Sequence, residues 1–364
     1  MSAPVASCPF AATSMPDGKG VAAVDPLGPD SLTWKYFGDL RTVLMGVWIG
    51  AIENMLPALG AGVEQHSCIK REPLQRVGRS VYPIMGVVYD GVHAKKTGTA
   101  IRDYHREIKG TDDQGRRYHA LDPYTFYWAH ATFFMLIIKL GEYFAGGFTE
   151  AEKRQLFEEH VQWFAMYGVS MRPVPKTWED FLVYWDTVCR DELELNQATL
   201  DILYMKLPKP DFLPIPTKVW NIAHQPAIAA QRWIATGLFS PEVREKAGLR
   251  WTPGDEVLLR LFGKVVATAV SVVPDEVRLH PRAVQGFRRA EGKSRADAKP
   301  VDAPFFFDAP ASRRHMPLHY VPEHKHPLLE IGNLVTGAVR TQAELVGATV
   351  NRAARVINPL QALG

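Results

Sequence analysis

The sequence predicts an all-α protein, one large helical bundle-like domain with an amphipathic helix at its C-terminal end, and three observations lead there. Helix starts recur with their caps in place: Asp122 before Pro123, Thr149 with Glu152, Thr177 with Asp180, Ser240 before Pro241 and Thr252 before Pro253. The stretch 123–144 is apolar nearly all round, as a helix at the centre of a helical protein must be. No run alternates apolar and polar residues with period two, no strand–helix–strand spacing appears, and no internal repeat is visible.

Taken in order, residues 1–30 read as a loose leader without the basic and apolar regions of a secretory signal, and the Cys8-Pro9 dipeptide in it is too short to define a ligand. Residues 31–39 open the folded part, and 41–56 follow as a mostly apolar helix stopped by Pro57. The glycines and alanines of 57–67 allow another helix or a flat ligand to approach closely. The next helix, 73–89, bends at Pro83 and carries the stripe Leu74, Val77, Val81, Ile84 and Val88. A helix ending at Gly110 then places Ala100, Ile101, Tyr104 and Ile108 on one face, with His105 on that stripe and Arg102, Asp103, Arg106, Glu107 and Lys109 opposite. A polar loop leads to the central helix; further helices run from Thr149 to about Tyr167 and from Thr177 through Leu207, and Gly248 separates two later starts. Residues 31–293 form the helical domain, 294–327 a proline-rich extended arm, and 328–364 the amphipathic helix, with arginines at 340, 352 and 355. That helix suits docking onto its own domain, onto a second subunit as a homodimer, or onto a membrane surface.

A chain of 364 residues, 46% of them hydrophobic, buries a sizeable core. The net charge of +3 comes from well-mixed acidic and basic residues, so the basic footprint of a nucleic-acid binder is missing. Cys8, Cys68 and Cys189 form no CxxC pair, which suits a reducing compartment and makes the cytoplasm the expected location, with membrane association through the C-terminal helix as its variant. The apolar run 124–140 is near the lower limit for a membrane span and holds His130 and Lys139, so it reads as a core helix.

A histidine turned inward must be satisfied or bind something, since an unpaired buried imidazole costs roughly 1–3 kcal/mol. Taken alone, His105 reads as a core histidine. Its neighbours change that reading: Arg76, Arg79 and Ser80 share a face beside the 73–89 stripe, and His130 is a second inward histidine. An imidazole for iron, cations for propionates and flat apolar walls are what a buried porphyrin needs. His130 either lines such a pocket or bonds across the core, and His66 is open to the same two readings. His315, His319, His324 and His326 resemble a metal cluster, but Pro317 and Pro322 break any shared helix face and a solvated arm is the preferred reading. The chain lacks the two Glu-x-x-His motifs that a di-iron bundle needs, and has no GxSxG elbow and no phosphate-binding glycine loop.

The segments WKYFGDLRTVLMG from Trp34, AGVEQHS, PLQRVGRS, IRDYHREIKGTDDQGRRYHALDP, YWAHA, VPKTWEDF from Val174 and LPIPTKVW from Leu213 together resemble the catalytic domain of rubber oxygenases, or latex-clearing proteins, and of the mpaB-type oxygenases. The resemblance spans roughly residues 31 to 293 and implies an all-helical haem b protein that uses dioxygen on a carbon–carbon double bond. It makes His105 the proximal iron ligand and Arg76 an arginine needed near the haem. Ser80 falls where the family usually has a threonine and keeps the hydroxyl. Arg79 falls where rubber oxygenases have a lysine that closes the sixth iron position, and a guanidinium, with its pKa above about 12, has no lone pair to offer. Leu56-Pro57 stands where many relatives have His-Pro. The expected activity is a haem b-dependent oxygenase, or a peroxidase-like oxidoreductase, acting with dioxygen or peroxide on a small apolar, isoprenoid- or lipid-like molecule inside the cell. The alternative is a carrier or sensor of haem or an apolar ligand, which has no need of Arg76 and Ser80.

Overall fold

The computed structural model describes residues 24–67, 69–70, 73–209 and 215–293, except the side chains of Leu74, Gln75 and Arg79. The leader up to residue 23, the arm at 294–327 with its histidines, and the helix at 328–364 lie outside the described residues. What is described is all-α, as expected, with one small hairpin added.

At the centre lies α6 (Pro123–Phe144), which buries Tyr127, Trp128, His130, Phe134, Leu140 and Phe144. It starts where it does because the Asp122 carboxylate accepts the backbone N–H groups of Tyr124 and Thr125, both at 3.1 Å, and Pro123 has no N–H to satisfy. Around α6 pack α2 (Gly46–Asn54), α7 (Glu150–Ala165) and α13 (Pro253–Val270). The capping box at Thr149 forms as the sequence predicts, and the predicted start at Thr252 proves to be a second one, closed by Asp255. Buried Glu159 of α7 holds the short α1 (Leu32–Tyr36) by accepting the Leu32 and Thr33 N–H groups at 3.0 and 2.7 Å. This is the charge-assisted satisfaction of orphan donors that a helix start requires.

On one side of this core, α3 (Pro57–His66) leads to the antiparallel pair α4 (Pro73–Tyr89) and α5 (Ala94–Tyr104), with α15 (Pro281–Ala290) against α4. One carboxylate ties the last three together: Asp90 accepts Arg282 Nε of α15 and the Thr97 hydroxyl of α5, each at 2.8 Å. Arg282 is wholly buried and also donates to the Tyr82 carbonyl, and Gly86 leaves the space that its guanidinium fills. Removing one partner of such a buried pair costs about 3–5 kcal/mol.

Four expectations are corrected. Residues 41–56 do not form one helix: Leu40–Met45 is a 3-10 turn, begun by the Asp39 side chain accepting the Arg41 N–H, and α2 follows. The stretch 177–207 breaks into α8 (Trp178–Thr187), a π-helical turn Val188–Glu192 and α9 (Gln197–Leu203). It breaks because the Glu194 N–H is taken by the Met55 carbonyl and Asn196 recaps the chain through the Thr199 N–H. The His105 helix ends at Tyr104, not Gly110, and the polar loop is a hairpin of β1 (Lys109–Thr111) and β2 (Arg117–His119). Asp112 accepts the N–H groups of Gln114 and Arg116, Gly115 supplies φ of +80°, and the Tyr118 hydroxyl fastens the hairpin to Gln65 of α3 at 2.7 Å. Finally, Val77 and Tyr104 are 44% and 42% exposed, so neither lies on a buried stripe.

Of the remaining described helices, α10 (Thr217–Ala223), α11 (Gln225–Leu238) and α12 (Pro241–Lys246) close the other side, and the short α14 (Asp275–Arg278) packs beside α15. Among the described residues no single helix is long and apolar enough to cross a membrane.

Candidate active site

His105 is the C-cap residue of α5, half-buried, its backbone leaving the helix with φ −91° and ψ 2°. Its Nδ1 lies 2.7 Å from the Ile101 carbonyl oxygen. A carbonyl only accepts, so Nδ1 carries the proton and Nε2 of the neutral ring presents a lone pair, with no hydrogen-bond partner among the described residues. Burial holds the His105 pKa below the usual imidazole value, and the nearby Arg76 guanidinium lowers it further against the opposing pull of the Ile101 carbonyl. The ring is neutral at physiological pH and meets Phe126 of α6 edge-on, with ring centroids 5.9 Å apart.

Arg76 stands opposite on α4. Its Nε donates to Ser67 Oγ at 3.2 Å, and its Nη1 contacts Ser80 Oγ one turn along the helix. The face shared by Arg76 and Ser80 is the one the helical spacing predicts. Arg79 belongs to the same helix, and its side chain lies outside the described residues.

Glu53, near the end of α2, was not among the predicted residues. Burial pushes its carboxyl up to about 7, with Arg76 pulling the other way. Its charge is felt by Tyr167, whose ring stacks edge-on with Phe126 at 5.3 Å. Glu53, Arg76, His105, Phe126 and Tyr167 therefore form one closed neighbourhood. The sequence marks it only as the one charge in the otherwise uncharged helix GVWIGAIEN, which does not by itself say where the carboxyl goes.

His130 is not brought against His105; the ring contacts run from His105 through Phe126 and Tyr167 to His130, 5.8 Å from Tyr167. It sits between α6 and α7, where Nε2 donates to the His160 carbonyl at 3.0 Å and Nδ1 is buried without a partner. Burial pushes its pKa down to about 3. His66 is exposed at the end of α3.

As a cradle, this neighbourhood supplies a neutral imidazole with an oriented lone pair, a guanidinium held by two serines, a carboxyl that exchanges its proton near neutrality, and aromatic walls. The residues fit a haem: an imidazole fixed by a backbone carbonyl on its far nitrogen is the usual state of a metal-ligating histidine. Neither the curated proteins nor the solved structures contain a match to the chain. Residues 34–268, more than half of the sequence, match the family described as ER-bound oxygenase mpaB/B′/Rubber oxygenase, catalytic domain. The site that α2, α4 and α5 assemble lies wholly inside that match, and the chain belongs to the mpaB/rubber-oxygenase catalytic-domain family.

Proposed function

We propose that the chain is a haem b-dependent oxygenase acting on a small apolar, isoprenoid- or lipid-like molecule. The observation that carries the reading is the His105 imidazole, which gives its one N–H to Ile101 and keeps Nε2 for a metal. Among the described residues no group of three or more His, Cys, Asp or Glu side chains is placed to hold a metal ion, so a metal at His105 would draw its other ligands from a macrocycle. Haem, when bound, supplies the dioxygen chemistry.

The chain's own residues do the rest. His105 stays neutral because protonation in its half-buried position beside Arg76 is unfavourable. Arg76, fixed by Ser67 and Ser80, presents a permanent positive charge and N–H donors to anionic or developing negative oxygen in the pocket. Glu53, titrating near neutrality, takes up or returns a proton next to that charge. The aromatic rings of Phe126 and Tyr167 beside His105 give the site an apolar wall for such a substrate.

An absorption spectrum of the purified protein, reconstituted with haem where needed, tests the reading. A Soret band is expected, and His105→Ala should lose it while the far-ultraviolet helical signal persists. Full haem retention by that variant would overturn the assignment.

A further inference from the structure

On the opposite side of α2 from Glu53 lies a cavity of about 230 Å³, where α2, α6, α8, the π-helical turn, α11, α12 and α13 meet. Lys139 and Tyr143 of α6 line it, 13 and 17 residues beyond the Phe126 that touches His105, which at 1.5 Å per residue is roughly 20–25 Å away along the helix. It is a separate place from the candidate active site.

Its lining is mixed: the indoles of Trp48 and Trp185 with Ile52 and Leu238 form an apolar part, and Lys139, Arg244 and Glu256 a polar one. Its polar groups are unbalanced. Glu256 is already engaged, accepting Trp251 Nε1 at 3.0 Å and Arg260 Nε at 2.8 Å. Arg244 makes only a long 3.4 Å bond to the Thr236 carbonyl and lies over the Trp251 ring, and no carboxylate of the described residues is within ion-pair distance of it. Lys139 gives one of its three donors to Glu142 at 3.0 Å. Trp48, wholly buried, has an indole N–H with no partner. Cys189 adds no negative charge, since burial pushes its thiol up to about 12.

Arg244 and Lys139 therefore bring unused donors to a pocket whose one lining carboxylate, Glu256, is already bonded. An ammonium compound or a plain hydrocarbon would leave those donors unused, whereas a carboxylate accepts from both. The volume lies below the ~300–1,000 Å³ of drug-sized sites, which limits the guest to on the order of ten heavy atoms. We propose that this cavity binds a small monocarboxylate with an apolar body, its head at Arg244 and Lys139 and its tail between Trp48 and Trp185.

Octanoate is a suitable probe, titrated calorimetrically into the full chain, with octanol as its uncharged counterpart. Saturable one-to-one binding with a Kd on the order of 0.1 mM is expected, with octanol at least about tenfold weaker. Arg244→Gln, at a partly exposed position, should weaken octanoate about tenfold, and Lys139→Met should weaken it independently. Ile52→Trp should fill the cavity and abolish binding. His105→Ala should leave the Kd unchanged, which separates this site from the one proposed for haem. Equal affinity for octanoate and octanol, an unchanged Kd in both charge variants, or loss of binding in His105→Ala would each overturn the proposal.

Discussion

Among the described residues His105, His130 and His160 each give an N–H to a backbone carbonyl, as does His224 after α10, and the first three divide into two regions by what their second nitrogen meets. In the aromatic core between α6 and α7, His160 accepts from Tyr127 and stacks on Phe134 at 4.3 Å, and His130 stacks on His160 at 5.6 Å with its second nitrogen buried. At the end of α5, half-buried His105 lies close enough to Arg76 to feel its charge, and its second nitrogen has no hydrogen-bond partner among the described residues. Depth of burial does not mark out the candidate ligand among them, since His130 and His160 are the deeper pair. Access to the lone pair does.

The comparison is sharpened most by exchanging the imidazole for a free one. His105→Gly should lose the haem band entirely and regain it with millimolar imidazole, whereas no such rescue is expected for a core histidine. A Soret band retained without imidazole would break the distinction. Next in size, Arg76→Ala should keep its haem and lower turnover about a hundredfold, the scale of removing one preorganised donor, with Ser80→Ala losing about tenfold. Steady-state rates on any accepted substrate, normalised to haem content, decide this; parental rates in both would favour a carrier. On the other side of the comparison, His130→Leu should keep full haem binding and lower unfolding free energy by about 1–3 kcal/mol, read by urea titration. Loss of haem in that variant would bring His130 into the site.

Glu53 gives a pH-dependent effect whose sign follows from linkage. Its folded-state pKa is raised to about 7, from 4.5 in the unfolded chain, so between those values the folded state holds a proton that the unfolded state has released. Stability should therefore fall as pH rises through this window, by at most about 3 kcal/mol in total, and Glu53→Gln should flatten that slope. The same substitution should remove a titration near pH 7 from the rate profile. The smallest expected change is spectral: Arg79→Lys adds a side chain able to shed its proton and should introduce a low-spin fraction at alkaline pH that the parent lacks.

Much of the fold was legible because its signals are local. The Asp122–Pro123 start, the Thr149 capping box, the Thr252 start and the all-round apolar α6 need only a few neighbouring residues to make sense. Arg76 and Ser80 were legible as a pair for the same reason, being one helical turn apart. The end of α5 was not, because Tyr118, reaching Gln65 from the hairpin, helps decide where the chain turns away. The break before α9 depends on Met55, far away in sequence, capturing the Glu194 N–H. Glu53 escaped notice because its unusual acidity comes from burial in the assembled neighbourhood of Arg76 and Tyr167, which no stretch of α2 encodes by itself.

The clamp between Asp90 and Arg282 sets a boundary that kinship alone would misplace. The family match stops at residue 268, so a chain trimmed to it would keep Glu53, Arg76, Ser80 and His105 and lose α15. The Asp90 carboxylate would then remain between α4 and α5 with the Thr97 hydroxyl but without the guanidinium that neutralises it. An uncompensated charge there would push apart the two helices that carry Arg76 and His105. The shortest piece able to present the site extends at least through Ala290, and is longer than the piece by which the chain is recognised.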